Sequence, residues 1–168
     1  MTKDAVNIVW FKRDLRFIDN EALFHAHQSG LPLLLLYIFE PSVMNYDDAD
    51  VRHWRFIYES IQELQKKLKP SNNKIYFFHN EAEFVFSEIF KYFDVKTIFS
   101  HQEIGNKITF DRDIRMQQIF QENNIIWIEF QLHGVIRKLK SRQNWDKRWE
   151  AIMRATPKTV NESDLKTI

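Results

Sequence analysis

The chain has no cysteine, so it can form no disulfide, build no thiolate metal site and offer no cysteine nucleophile, which suits a reducing compartment. It has three glycines, Gly30, Gly105 and Gly134, too few for either G-x-G-x-x-G or G-x-x-x-x-G-K-[ST]. Phosphate cradles built on glycine loops are thereby excluded. The longest apolar run, Leu31 to Phe39, contains Pro32 and falls short of the ~20 residues a membrane span requires. The start, Met1-Thr-Lys-Asp, lacks the apolar stretch of a secretory signal. A soluble, cytoplasmic protein with no membrane partner is the expectation. Net charge is also nearly absent, since 24 Lys+Arg stand against 23 Asp+Glu.

What remains is ample for one core: 168 residues, 44% of them hydrophobic and 15% aromatic, fit a single domain and are too few for two. Five short apolar runs recur, Val6 to Phe11, Leu33 to Phe39, Lys74 to His79, Lys96 to Ser100 and Ile125 to Phe130, and read as strands. None alternates cleanly, and strands apolar on both faces belong in a parallel sheet covered by helices on each side. Helical periodicity fills the gaps. Trp54, Ile57, Ile61, Leu64 and Leu68 fall on one face, between Asp50 as a start signal and Pro70 as a stop. Phe84, Ile89, Phe90 and Phe93 make a shorter stripe, and residues 21–28 and 107–122 are further helices.

Strand and helix therefore alternate through Phe130, and right-handed crossovers favour an α/β, doubly wound, five-stranded parallel sheet of order 3-2-1-4-5 with helices on both faces, Rossmann-like in outline. Trp10, Leu35, Phe77, Ile98 and Trp127 are its expected buried residues. Ligands in such sheets sit beyond the carboxyl ends of the strands where the winding reverses, here between the first and fourth strands. The loop after the first strand, Phe11-Lys12-Arg13-Asp14-Leu15-Arg16, gathers three cations round one carboxylate; the loop after the fourth reads Ser100-His101-Gln102-Glu103-Ile104-Gly105. Phe11, Lys12, Asp14, His101, Gln102 and Glu103 are the candidate cofactor-binding residues of that crevice. Taken singly these side chains also suit salt-bridged turns and helix caps. No catalytic residue is assigned, no second His or carboxylate stands at metal-ligand spacing, and His25, His27, His53 and His79 read as structural.

After Phe130 the character changes. From Val135 to Lys158 eight bases (Arg137, Lys138, Lys140, Arg142, Lys147, Arg148, Arg154, Lys158) face only Asp146 and Glu150, a charge of +6. Trp145, Trp149, Ile152 and Met153 then form a stripe at helical spacing, expected to pack on the protein, while Pro157 to Ile168 carries no periodicity and reads as loose. The chain divides accordingly into an α/β unit, 1–130, and a basic connector with a terminal helix, 131–168.

The string Ile8-Val9-Trp10-Phe11-Lys12-Arg13-Asp14-Leu15-Arg16, followed by Asp19-Asn20-Glu21-Ala22-Leu23, resembles the opening signature of the DNA photolyase/cryptochrome family. Ser100-His101-Gln102-Glu103 with Arg112-Asp113, and Leu139-Lys140-Ser141-Arg142 with Trp145 and Lys147-Arg148-Trp149, are similar to that family in order and spacing. The resemblance implies the family's N-terminal α/β domain, which helps to hold an antenna chromophore (a folate, deazaflavin or flavin). In the intact family FAD sits in a C-terminal helical domain and drives light-dependent repair of DNA or blue-light signalling. By that resemblance the 168 residues end where the connection to the FAD-binding domain begins, and the chain alone is expected to be inactive on DNA and without FAD. Family members that hold folate carry Asn-Glu where this chain has Ile108-Thr109, so a folate bound in that manner is not expected. The alternative is a free-standing nucleotide- or FMN-binding α/β domain, but Phe11 to Arg16 offers neither Gly nor Ser for a phosphate loop. A hydrolase or transferase has no nucleophile-base pair to support it.

Overall fold

The computed structural model describes residues 3–137 and 139–168; Met1, Thr2 and Lys138, one of the bases counted above, lie outside them. The chain runs β1 (Asp4–Phe11), α1 (Glu21–Gln28), β2 (Leu33–Phe39), α2 (Pro41–Met44), α3 (Val51–Leu68), β3 (Ile75–His79), α4 (Ala82–Tyr92), β4 (Phe93–His101), α5 (Lys107–Glu122), β5 (Ile126–Phe130) and α6 (Trp145–Met153), with 3-10 turns at Lys69–Ser71 and Glu162–Asp164. The five strands form one sheet of order β3-β2-β1-β4-β5, and every pairing is parallel. Among the described residues no helix is long and apolar enough to cross a membrane.

Both faces of β1 and β2 are buried because alternate side chains enter different cores. Val9, Phe11, Leu35, Tyr37 and Phe39 meet α1 and α3 through Leu23, Ala26, Ile61 and Leu64. Trp10, Ile8, Leu36 and Ile38 meet α4 and α5 through Val85, Phe86, Met116 and Phe120. Trp10 is the hub of the second core, with the Phe86 ring 5.0 Å and the Trp127 ring 6.0 Å from it. The β1–β4 ladder carries one irregularity: Val6 pairs with Val95 but Asn7 with Thr97, so Lys96 bulges out. Asn7 repairs the break, its Oδ1 accepting from the Thr97 amide at 3.0 Å.

α3 begins where Asp50 caps the Arg52 amide and ends before Pro70, and Ile61, Leu64 and Leu68 are its buried face. Trp54 and Ile57, on the same stripe one to two turns earlier, are only partly covered, because at that end the helix overhangs the carboxyl edge of the sheet.

The structure corrects several expectations. Phe77 is 42% exposed, because β3 is an edge strand whose outer residues have only Tyr58 and Phe39 against them. Trp127, on the opposite edge, is partly buried, its indole donating to Ser100 Oγ at 2.9 Å. In α4 the buried face is Ala82, Val85, Phe86 and Ile89; Phe84 points outward and Phe93 already belongs to β4. The stripe on α6 is not covered: Trp145, Trp149 and Met153 are 43%, 42% and 48% exposed, and the two indoles stack on each other instead. Trp149 also presses on Gly134, where a Cβ would fall 2.2 Å from its Cδ1.

The segment from Pro157 onward is held, not loose. Val160 and Leu165 are buried in the α1/α3 core, Leu33 exchanges backbone hydrogen bonds with Lys166 and Ile168, and Asn73 bonds the carbonyls of Glu162 and Leu165 and the amide of Thr167. Side-chain clamps of this kind leave no periodicity in the sequence. Leu165→Ala is expected to cost about 2–5 kcal/mol in urea unfolding, as for other buried leucines; an unchanged midpoint would mean that the segment does not contribute to the core.

Candidate functional site

The loop leaving β1 is folded by one carboxylate. Asp14, 1% exposed, accepts from the Lys12 amide at 2.9 Å and from Asn20 Nδ2 at 3.3 Å, while Asn20 Oδ1 caps α1 at the Leu23 amide. Its Oδ2 lies 2.5 Å from Nδ1 of His101 at the end of β4, also buried. Burial pushes the Asp14 carboxyl up, but His101 and the Lys12 amide outweigh it and hold the group below the usual carboxylate range. Beside this clasp, Arg13 Nε donates to Glu103 at 3.0 Å. A Cβ on Gly105 would fall 2.2 Å from the Arg13 guanidinium, so a side chain there would displace Arg13 from this contact.

Beneath lies a chain of buried ions. Lys12 Nζ binds Asp113 at 2.8 Å and rides over the rings of Trp10 and Trp127 at 4.7 and 4.9 Å. Arg112 holds the other Asp113 oxygen at 2.9 Å, pairs with Glu40, and stands 4.9 Å from the Trp10 ring. Arg137 reaches back from the connector to the Glu103 carbonyl at 2.9 Å and to Glu129 at 3.1 Å. Burial lowers the Lys12 ammonium below its ordinary value despite Asp113. Burial also raises the Glu40 and Glu129 carboxyls despite their cations.

Above this network opens a cleft of about 600 Å³, within the range of small-molecule sites. Phe11, Lys12, Asp14 and Glu103 line it; His101 and Gln102 do not, His101 lying under the loop and Gln102 bonding its amide to Phe130. The cleft lies between the loop after β1, the start of α3 and the β4–α5 side, to which Glu103, Asn106, Thr109 and Arg112 belong, so it opens beside the point where the winding reverses. The Asp14–His101 and Arg13–Glu103 contacts tie the loops after β1 and β4 together. Tyr37, Trp54, Phe56 and Ile57 form its aromatic and aliphatic wall. Among the described residues Trp54 Nε1 is the one buried side-chain nitrogen or oxygen without a hydrogen-bond partner. Reading the strand-end loops alone missed Glu40, Trp54 and Arg112. The signals for them were an acidic residue closing an apolar strand and a tryptophan on the overhanging turn of an otherwise aliphatic stripe.

Two outcomes test this arrangement. Lys12→Met, which leaves Asp113 and Glu129 short of a buried cation, is expected to cost about 3–5 kcal/mol in denaturant unfolding. Because Asp14 titrates lower folded than unfolded, its contribution is complete above the ordinary Asp value of 3.8 and disappears as pH falls through the folded value. Glu40 and Glu129 act with the opposite sign, weakening the fold as pH rises through their folded values above the ordinary 4.5. Thermal melts against pH should show an acid-side loss in the wild type that Asp14→Asn, less stable at neutral pH, no longer shows.

Comparison with known proteins agrees with the fold and the motifs. Residues 7–158 match the family model described as DNA photolyase. The chain is 33% identical over 102 residues to a cryptochrome DASH of Synechocystis, covering 58% of this chain and 21% of that protein. It is 32% identical over 129 residues to a deoxyribodipyrimidine photo-lyase of Vibrio cholerae, covering 74% and 27%. It thus spans about a quarter of the length of these curated relatives. An archaeal photolyase from Sulfolobus tokodaii, solved with two FAD molecules, superposes with a TM-score of 0.76 over 93% of this chain and 37% of its own at 22% identity. A bacterial class III photolyase from Agrobacterium tumefaciens gives 0.75 over 100% and 36% at 19% identity. With the β1 signature folded into the Asp14 clasp and Arg112-Asp113 into the ion chain below it, the protein belongs to the DNA photolyase family.

Proposed function

We propose that this chain is the antenna-and-docking unit of a photolyase or cryptochrome, binding a light-absorbing chromophore in the cleft over β1 and β2 and presenting it to a flavin-bearing partner domain. The observation that carries the proposal is the cleft itself, since its volume and its wall of Phe11, Tyr37, Trp54 and Phe56 suit a flat ring system. The Sulfolobus photolyase, solved with two FAD molecules that are described as implying a novel light-harvesting cofactor, supports the same use of this fold. A bound chromophore would supply absorption in the blue; Phe11, Tyr37 and Trp54 would orient its ring and the ion chain would keep the floor rigid. No proton transfer at any of these residues is needed for that task.

Docking falls to the connector. The stacked Trp145 and Trp149 and the bases Lys147 and Arg148 give α6 an amphipathic outer face, suited to the FAD-binding helical domain of the intact family, where DNA would be the substrate. The unit is residues 1–130, with 131–168 as connector, of which 160–168 return to the sheet. A chain without cysteine suits a cytoplasmic setting. As a free-standing nucleotide domain it would have no glycine or serine loop to hold a phosphate.

The test is retention. The chain incubated separately with FMN, FAD or a reduced folate and passed through gel filtration is expected to carry one of them in stoichiometric amount, while Ser60→Trp, which fills the cleft, elutes without it. Failure to retain any of the three would overturn the antenna assignment.

A further inference from the structure

The sheet ends differently on its two sides. β5 carries an ionic residue, Glu129, paired with Arg137 of the connector at 3.1 Å, and charge of this kind guards an edge against further pairing. β3 has no such guard. Its sequence, Ile75-Tyr76-Phe77-Phe78-His79, holds no Lys, Arg, Asp or Glu, and Phe77 and Phe78 are each 42% exposed, Phe77 on the α3 face beside Tyr58 and Phe78 on the α4 face with Tyr76.

The outer backbone of β3 is also open. Ile75 gives its amide to Gln65 Oε1 at 3.0 Å and not to β2, whereas the Lys74 amide turns to Thr167, which itself pairs beside Leu33 on β2. By the alternation of a parallel ladder, Tyr76 and Phe78 then bond β2, and Phe77 and His79 direct their N–H and C=O groups away from it. Among the described residues no group beyond the sheet meets those of Phe77 or His79.

We propose that β3 is a self-association edge, through which two copies of this chain pair antiparallel with Phe77 opposite Phe77 and join their sheets into one. A two-fold axis through Phe77 and normal to the sheet sets the outward N–H and C=O of Phe77 against the same groups of the second copy, and the His79 amide against the Ile75 carbonyl. That rotation keeps each face on its own side. Phe77 then meets Phe77 next to Tyr58, and Phe78 meets Tyr76 on the α4 face, aromatic cross-strand pairs of the kind that stabilise antiparallel sheets. Lys74 falls opposite Asn80 and next to Glu81 of the second copy. Within its own chain Glu81 accepts from the Ser42 amide and hydroxyl but pairs with no cation among the described residues, so the second copy supplies the missing charge. An unrelated extended peptide would satisfy the backbone alone. A contact of one five-residue strand a side is smaller than a permanent dimer needs, so the association is weak and grows with concentration. It does not rest on what the cleft binds.

Sedimentation equilibrium of the full chain from about 10 µM to about 1 mM, the range of weak association, decides the matter. The apparent mass is expected to rise from 20.4 kDa toward twice that value. Phe77→Pro removes an outward N–H without costing β2 a hydrogen bond, and Phe78→Lys puts charge on the edge; both are expected to keep one chain's mass throughout, with wild-type circular dichroism. Should Phe77→Pro not fold, Phe78→Lys decides alone. Ile126→Ser, on the opposite edge, should associate as wild type does. Because the chain lacks cysteine, Phe77→Cys gives one thiol per copy, which a short bismaleimide is expected to link into dimers, while Ile126→Cys stays unlinked. Wild type that keeps one chain's mass at about 1 mM, association that Phe78→Lys leaves intact or Ile126→Ser abolishes, or linkage of Ile126→Cys in place of Phe77→Cys would overturn the proposal.

Discussion

Lys12 carries a positive charge into the interior at the end of the central strand, and the carboxyl side of the molecule is organised round that fact. An ammonium withdrawn from water is tolerated only where carboxylates and ring faces replace its hydration. Asp113 from α5, Glu129 from β5 and the indoles of Trp10 and Trp127 do so from three elements. Because Asp113 is shared with Arg112, and Arg112 with Glu40 after β2, one salt-bridge chain fixes the ends of β1, β2, β5 and α5 relative to one another. The cleft is what this rigid platform leaves uncovered beneath the overhang of α3.

The joining of the loops after β1 and β4 follows from the same economy of charge. Asp14 and Glu103 are nearly inaccessible, and each finds its cationic or ring partner on the opposite loop or nearby. Two loops whose polar groups satisfy each other have little left for a ligand. The cleft beside them joins an aromatic wall of Tyr37, Trp54 and Phe56 to charged residues already held in ion pairs, among them Arg13, Glu103 and Arg112. The switch-point loops thus form one side of the site.

This explains which features could be read in advance. The strand order followed from continuous apolar runs and the handedness of crossovers, both properties of local sequence. Phe11, Lys12, Asp14 and Glu103 were legible as cleft residues because they sit at strand ends. His101 was legible as a polar residue of the same loop, but whether it faced the crevice or the underside depended on its pairing with Asp14, 87 positions away. Glu40 and Arg112 belong to a contact across 72 positions and leave no local pattern. Phe77 and the α6 tryptophans failed for a different reason: hydrophobicity reports that a side chain seeks cover, not that the elements needed to cover it stand nearby. The tail escaped notice because Asn73 holds it through backbone groups, which every residue has.

The bulge at Lys96 sets the phase of β4. Val95 and Ile98 both enter the α4/α5 core although they are three residues apart, an interval that a regular strand would divide between opposite faces. One unpaired residue near the amino end therefore determines that Phe99, and with it His101, turns toward the α1 side where Asp14 waits. The strand works as a crankshaft: a half-turn introduced at one end is delivered, five residues later, as the orientation of the side chain that ties the loop at the other.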